Sequence, residues 1–312
     1  MKREPTQKKN GARIRDRQSN LQLLSMCLPA MAKLLVFAYL PMIGIVMAFQ
    51  DYNPRKGFFG SEFIGLKNFE FFFKSNDWMR IIYNTVVMNL LFIFVGLVIS
   101  IVLALIMYEI HSRIFLKITQ TFFFFPYFVS WPLVGLILLA FLNSDGIITT
   151  LIENLTGNSI SFYMESEYWH WILLIVNVWK GAGVNAIIYY ANMMSIDKTY
   201  YEAAQLDGAN RLQCAWYITL PEIKTMAIVL TVMAIGNIIR ADFGMFYFVP
   251  RNSPMLYEAT DVIDTYVFRA IHQLGDFSMG SAVGLFQSVV GFILILITNA
   301  VVRKVNKDAA LF

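Results

Sequence analysis

Charge is scarce in this chain. Asp, Glu, Lys and Arg make up 15% of 312 residues, against 57% hydrophobic residues and a mean hydropathy of +0.56. That balance excludes a single soluble domain, because so much apolar surface cannot be hidden in one water-facing core. There are only two cysteines, Cys27 and Cys214, in different predicted regions, so neither a disulfide framework nor a thiolate metal centre is expected. The three histidines, His111, His170 and His272, stand apart with no H-E-x-x-H pattern, which removes a zinc protease. No G-x-x-x-x-G-K-[ST] segment exists, so the chain carries no phosphate loop for ATP. No metal and no cofactor are expected.

What the chain has in abundance is apolar runs near the 20 residues needed to cross a ~30 Å hydrocarbon layer. Six are read, over about 24–49, 82–107, 119–142, 168–193, 225–249 and 279–302. Backbone amides inside a membrane need internal partners, and the period-two alternation of barrel strands is absent, so the fold expected is all-α and polytopic.

The formal charge of +4 matters less than its placement. Lys2, Arg3, Lys8, Lys9, Arg13, Arg15 and Arg17 crowd the N-terminus, and Arg303, Lys304 and Lys307 follow the last run. The 143–167 connection has no Lys or Arg, only Asp145, Glu153, Glu165 and Glu167. The positive-inside rule then puts both termini in the cytoplasm. Residues 51–80 dissent with five cations, offset by four acids. The basic tail suits anionic headgroups rather than nucleic acid. A signal peptide is not expected, because the first run is too long, contains Lys33 and lacks an A-x-A site. Three regions result: a basic tail over 1–23, a transmembrane domain over 24–302, and a short tail over 303–312.

Pro29 and Pro41 predict kinks in the first span, and Pro126, Trp131 and Pro132 predict a bent third span. Aromatics from Phe69 to Phe73 are expected at the water–lipid boundary. Gly280, Gly284 and Gly291 predict close approach along the sixth span. The fourth span is the most polar, with Asn177, Trp179, Lys180, Asn185 and Tyr189, and the fifth carries Asn237, Arg240 and Asp242. A mid-membrane charge costs roughly 2.5–3.5 kcal/mol on insertion scales, so these groups need partners or water. Two readings stand: a polar path through the membrane, or an interior Lys180–Asp242 pair that only fixes packing.

The most informative segment is the polar island 194–224 between the fourth and fifth spans. Asp197 is a competent N-cap for a short helix from Lys198, Ala203 and Ala204 give that helix a narrow face, and Gly208 supplies a left-handed stop. A second helix is expected from about Asn210 to Tyr217, ended by Leu220-Pro221. Taken alone, this is a capped helix-turn-helix between spans.

The motif Tyr201-Glu202-Ala203-Ala204 with Asp207-Gly208-Ala209, followed by Ile218-Thr219-Leu220-Pro221, resembles the cytoplasmic coupling loop of maltose-type ABC importer permeases. The similarity runs through Tyr39-Leu40-Pro41, Phe63-Ile64-Gly65-Leu66, Trp179-Lys180 and Ser281-Ala282-Val283-Gly284. It is strongest to permeases that pair with lipoprotein receptors for complex saccharides. Asp197, Ala215 and Thr225 depart from the family pattern.

The resemblance implies an ATPase-docking set of Tyr201, Glu202, Ala203, Ala204, Asp207, Gly208, Ala209, Leu220 and Pro221. The polar residues of the fourth and fifth spans give the expected substrate path: Asn177, Trp179, Lys180, Asn185, Tyr189, Asn237, Arg240 and Asp242. The resemblance also implies two ATPase subunits holding ATP and Mg, a second homologous permease, an extracytoplasmic solute-binding lipoprotein and a saccharide cargo. The site of action it implies is the bacterial cytoplasmic membrane. Residues 250–278 are expected as an external segment that meets the receptor or a solvated amphipathic loop. Two alternatives remain: an importer permease for peptide, phosphate or osmolyte, and an ion-driven secondary transporter.

Overall fold

The computed structural model of the chain describes residues 23–305 and residue 310. The basic N-terminal cluster and Lys307 lie outside the described residues. Six helical stretches are long and apolar enough to cross a membrane: Leu23–Phe49, Trp78–Tyr108, Trp131–Thr156, Ser166–Met193, Arg211–Gly236 and Phe277–Lys304. Apart from one two-residue hairpin, pairing Gln50 with Phe63 and Asp51 with Glu62, regular structure among the described residues is helical. The all-α expectation holds.

The fourth span is the most enclosed, with 33% of its apolar window buried, and the first the least, at 6%. The fold is therefore organised around the fourth span, which runs alongside the second. A cluster of Met88, Trp169, Leu173, Met245, Phe246 and Leu256 fills one end of the bundle. Ala104, Met107, Ala186, Tyr189, Met193 and Ile223 fill the other. Two glycine contacts set the spacing. A Cβ on Gly183 would collide with the Phe123 carbonyl, so only glycine lets the third-span helix lie on the fourth. A Cβ on Gly291 would stand 2.8 Å from the Gly236 carbonyl, bringing the fifth and sixth spans together. Gly284, expected in the same role, faces open space.

Three spans are not plain rods. The first passes from α through a π-helical turn, Leu35–Tyr39, into a 3-10 helix, Leu40–Phe49. Pro41 stands at that change, where a missing donor forbids an ordinary turn. The third was expected over 119–142, but residues 113–124 form a helix that tightens into a 3-10 turn at Phe125–Phe128 and stops. A new helix, Trp131–Leu142, starts beyond Ser130, and Ile147–Thr156 follows after a turn. The bend predicted from Pro126 and Pro132 is thus a break.

The fifth span corrects the sequence reading twice. Leu220-Pro221 does not end the preceding helix, which runs from Arg211 through a π-helical turn, Ala215–Thr219, into Leu220–Gly236. The wider turn, with Leu220 N–H donating to the Ala215 carbonyl five residues back, accommodates the proline. The span then stops at Gly236 instead of reaching residue 249, and a short helix, Phe243–Phe248, follows an irregular stretch. The aromatic stretch also differs: Phe72 is 1% exposed against Tyr266 and Phe286, so it is a core residue rather than a boundary anchor.

Residues 250–278 are part packed and part exposed, with residues 259–263 buried and residues 272–275 open. Asp261 is 2% exposed and accepts two 2.7 Å bonds from Arg269 Nη2, whose guanidinium lies over the Tyr257 ring. Asp264 turns toward the fifth span, where it accepts the Ala241 N–H at 2.7 Å. The buried Asp261 carboxylate is thus consumed by pairing inside the chain, whereas Asp264 is half-buried.

Candidate functional site

The polar island forms as its caps dictate. Asp197 accepts the Thr199 N–H at 3.0 Å and starts the helix Lys198–Leu206. That bond, chiefly, holds the Asp197 carboxyl below its ordinary range. Gly208 takes φ +84° and turns the chain. Asn210 and Gln213 then exchange bonds of 2.8 and 2.9 Å in a capping box that starts the next helix. Glu202, Ala203, Asp207 and Gly208 are exposed, and Ala204 and Ala209 half-exposed. Glu202 makes no ion pair among the described residues. Leu206 is 89% and Leu212 82% exposed, an unusual state for leucines flanking a polar loop. Tyr201 differs: it turns inward, its hydroxyl 2.9 Å from Thr219 Oγ1. Leu220 and Pro221 lie within the fifth-span helix instead of on the exposed loop.

The second constellation surrounds the breaks in the third and fifth spans. Between Gly236 and Asp242 the fifth span loosens into turns, with Asn237, Ile238 and Arg240 N–H groups bonded three residues back, and side chains from other elements take up its carbonyls. Asn89 Nδ2, from the second span, donates to the Ile238 carbonyl at 2.8 Å and the Arg240 carbonyl at 3.0 Å. Gln287 Nε2, from the sixth, donates to the Ile239 carbonyl at 3.0 Å and to Asp264 at 3.2 Å. Irregular backbone at membrane depth is tolerated only where protein or a water-filled cavity receives it.

The Lys180–Asp242 pair does not form. Lys180 Nζ donates instead to the carbonyls of Tyr127 at 2.8 Å, Pro126 at 3.3 Å and Val129, where the third-span helix stops. A helix C-terminus exposes carbonyls and partial negative charge, which is what an ammonium requires. The ammonium also lies 5.0 Å from the Trp131 ring centre. Asp242 accepts the Trp131 indole N–H at 2.8 Å and caps the Phe243–Phe248 helix through Met245 N–H at 3.2 Å. Trp131 thus bridges the two groups the sequence reading paired directly.

The remaining path residues divide. Arg240 and Asn237 are exposed: Arg240 donates to Ser288 Oγ at 3.0 Å, and Asn237 to its own helix at Met233. Asn177 is half-buried beside the Met245 sulfur at 3.8 Å. Asn185 is exposed. Trp179 faces an apolar groove with Ile137, Phe141 and Ile175, and Tyr189 is 3% exposed in the core, so neither joins Lys180 and Asp242. Asn89 and Asp264 escaped sequence reasoning as parts of the site. The signal for Asn89 was there: with Asn84 it is one of two amides in an otherwise apolar run.

Six membrane-length helices, two of them interrupted, with an exposed polar loop before the fifth, fit the class of membrane transport components. Residues 96–307 match the model for the binding-protein-dependent transport system inner membrane component, and the chain belongs to that family. Protein LplB of Bacillus subtilis (strain 168) is 35% identical over 287 residues, covering 92% of this chain and 90% of LplB. The polygalacturonan/rhamnogalacturonan transport system permease protein YteP of the same organism is 36% identical over 287 residues, covering 92% of this chain and 89% of YteP. The crystal structure of a bacterial ABC transporter involved in the import of the acidic polysaccharide alginate contains a similar chain. It matches with a TM-score of 0.84 and 32% identity, over 94% of this chain and 98% of that one.

Proposed function

We propose that this chain is a non-hydrolysing translocation subunit of an ATP-driven importer for oligosaccharides or polysaccharide fragments. The observation that carries the reading is the exposed Glu202-Ala203 face of the Lys198–Leu206 helix, flanked by Leu206 and Leu212. A short amphipathic helix with apolar neighbours left in water is built to be covered by another protein. In this reading, Glu202 meets a basic residue in a cleft of an ATPase subunit, and two such subunits bind and hydrolyse ATP with Mg. Both termini and the docking loop face the cytoplasm. A second, homologous permease closes the other side of the path, and a solute-binding lipoprotein delivers cargo outside the membrane.

Saccharide as cargo rests on the relatives: YteP is named for polygalacturonan and rhamnogalacturonan, and the structural neighbour imports alginate. Arg240 supports a carboxylate-bearing sugar. It is exposed beside the interrupted segment, and its single side-chain bond to Ser288 leaves further guanidinium donors free. Asn237 and Trp131 add an amide for hydroxyls and a ring for a sugar face.

The test is uptake of labelled oligosaccharides in cells carrying Glu202→Lys or Gly208→Val. Both should abolish uptake while the chain stays in the membrane. Normal uptake in both would refute docking through this loop. Persistence of uptake after loss of the partner ATPase would favour an ion-driven transporter. A receptor that binds peptides, phosphate or osmolytes but no glycan would overturn the cargo.

A further inference from the structure

Tyr201 was grouped with the docking residues by its place in the motif, yet its side chain faces away from the exposed Glu202-Ala203 surface. Its ring lies 5.8 Å from that of Tyr108, the last residue of the second span. Its hydroxyl lies 2.9 Å from the hydroxyl of Thr219, which is 2% exposed. Thr219 Oγ1 in turn reaches the Cys214 carbonyl at 3.4 Å. The donors therefore run in one direction, from Tyr201 O–H to Thr219 and from Thr219 O–H to Cys214. Thr219 closes the π-helical turn Ala215–Thr219, the one place in the fifth span's cytoplasmic half where the regular ladder is loosened. The nearby ion pair between Arg211 and Glu109 at 3.1 Å is 75% and 45% exposed, and such pairs contribute little. The buried hydroxyl link is the firmer tie between the loop and the spans.

We propose that Tyr201 is a positioning residue that transmits movement of the docking helix into the fifth span through Thr219, with the ring contact to Tyr108 steadying the second. The π turn then acts as the yielding joint, because shifting one wide turn disturbs fewer bonds than bending a regular helix. This inference rests on the ATPase-docking reading. It differs from docking in consequence: losing a docking contact releases the ATPase, whereas losing this link leaves the ATPase bound but pushing to less effect.

The test uses the complete importer, reconstituted in liposomes with both permeases, the ATPase and the receptor. Variants are Thr219→Val, Tyr201→Phe, the double variant, Thr219→Ser, and the exposed control Tyr200→Phe. With Thr219→Val the ATPase should co-purify and basal ATP hydrolysis stay unchanged. Saccharide imported per ATP should fall about three- to tenfold, the scale of one hydrogen bond. Tyr201→Phe should also lower that ratio, and the double variant should lose less than the two single losses combined, since both remove the Tyr201–Thr219 bond. Thr219→Ser and Tyr200→Phe should keep it. An unchanged ratio in Thr219→Val and Tyr201→Phe, or additive losses in the double variant, would overturn the linkage. Should a variant assemble poorly, hydrogen exchange in the unaltered complex decides: ATPase binding should slow amides 215–219 beyond those of 226–232, and equal protection refutes the joint. Failure of the unaltered chain to hold any ATPase would overturn the docking reading, and this linkage with it.

Discussion

Replacing Asn89 with leucine tests whether the interrupted fifth span is a built feature. Asn89 Nδ2 serves two carbonyls of that segment, those of Ile238 and Arg240. Leucine has similar volume and suits the apolar surroundings of the second span, so packing alone predicts little harm. Hydrogen bonding predicts more. A side-chain bond within a membrane contributes about 0.6 kcal/mol on average. A buried acceptor left without a partner costs about 1–3 kcal/mol. Ile238 is 7% exposed and its carbonyl falls under the larger figure, whereas exposed Arg240 lets water reach its own and falls under the smaller. The sum is roughly 2 kcal/mol. At roughly 2–4 °C per kcal/mol for a chain of this size, Tm in detergent should drop about 4–8 °C. Size-exclusion chromatography after a heating series reads that shift directly, with Leu90→Met, at a half-exposed neighbouring site, as the control expected to change it little. Uptake should fall with it, because the segment holds Arg240. A Tm for Asn89→Leu within a degree of the unaltered protein, with full uptake, would refute the clasp.

Gly183→Val should prevent the third-span helix from seating on the fourth, since its Cβ meets the Phe123 carbonyl, and protein recovered from membranes should fall sharply. Recovery equal to Gly181→Ala, where a Cβ meets open space, would refute the close contact. Asp261→Ala leaves Arg269 without its carboxylate, and breaking such a buried pair costs about 3–5 kcal/mol. The variant should lose Tm far beyond Asn89→Leu, and a smaller loss would refute the pairing. The Asp197 carboxyl, held low by the Thr199 N–H, stabilises the Lys198–Leu206 helix fully above the ordinary carboxylate range, and that support is lost as pH falls through its depressed value. Amides 199–203 should therefore exchange faster in Asp197→Ala than in the unaltered chain at neutral pH, and the difference should vanish in strong acid. Equal exchange at neutral pH would refute the cap.

The number of spans was legible because membrane thickness imposes a length that any apolar run either meets or fails. The shape of the polar loop was legible because caps are local: Asp197, Gly208 and the Asn210–Gln213 box each act within a few residues. The breaks were only half legible. Pro126 and Pro132 announced trouble in the third span, but nothing near Gly236 says that the fifth must stop there. Its replacement partners, Asn89 and Gln287, come from about 150 residues before and 48 residues after. Pro221 misled for a similar reason. A proline removes one donor and crowds one carbonyl, and the local rule cannot foresee that a wider turn will absorb both. The direction of Tyr201 was invisible too, since it depends on where Tyr108 and Thr219 arrive in space.

The two breaks belong together, and charge explains why. Lys180 cannot remain in a hydrocarbon setting without partners, and the cheapest are carbonyls that a helix has already released. The stop at Phe128 releases them, and the restart at Trp131 places an indole beside the same ammonium. The indole N–H then needs an acceptor, which Asp242 provides only because the fifth span has unwound and its next helix begins there. Restoring the third span to a continuous helix would orphan the Lys180 ammonium, and restoring the fifth would deprive the Trp131 indole N–H of its acceptor. A polar step at this depth is therefore sustained by irregular backbone on both sides of it, and the same irregularity leaves Arg240 and Asn237 facing outward instead of being consumed in packing.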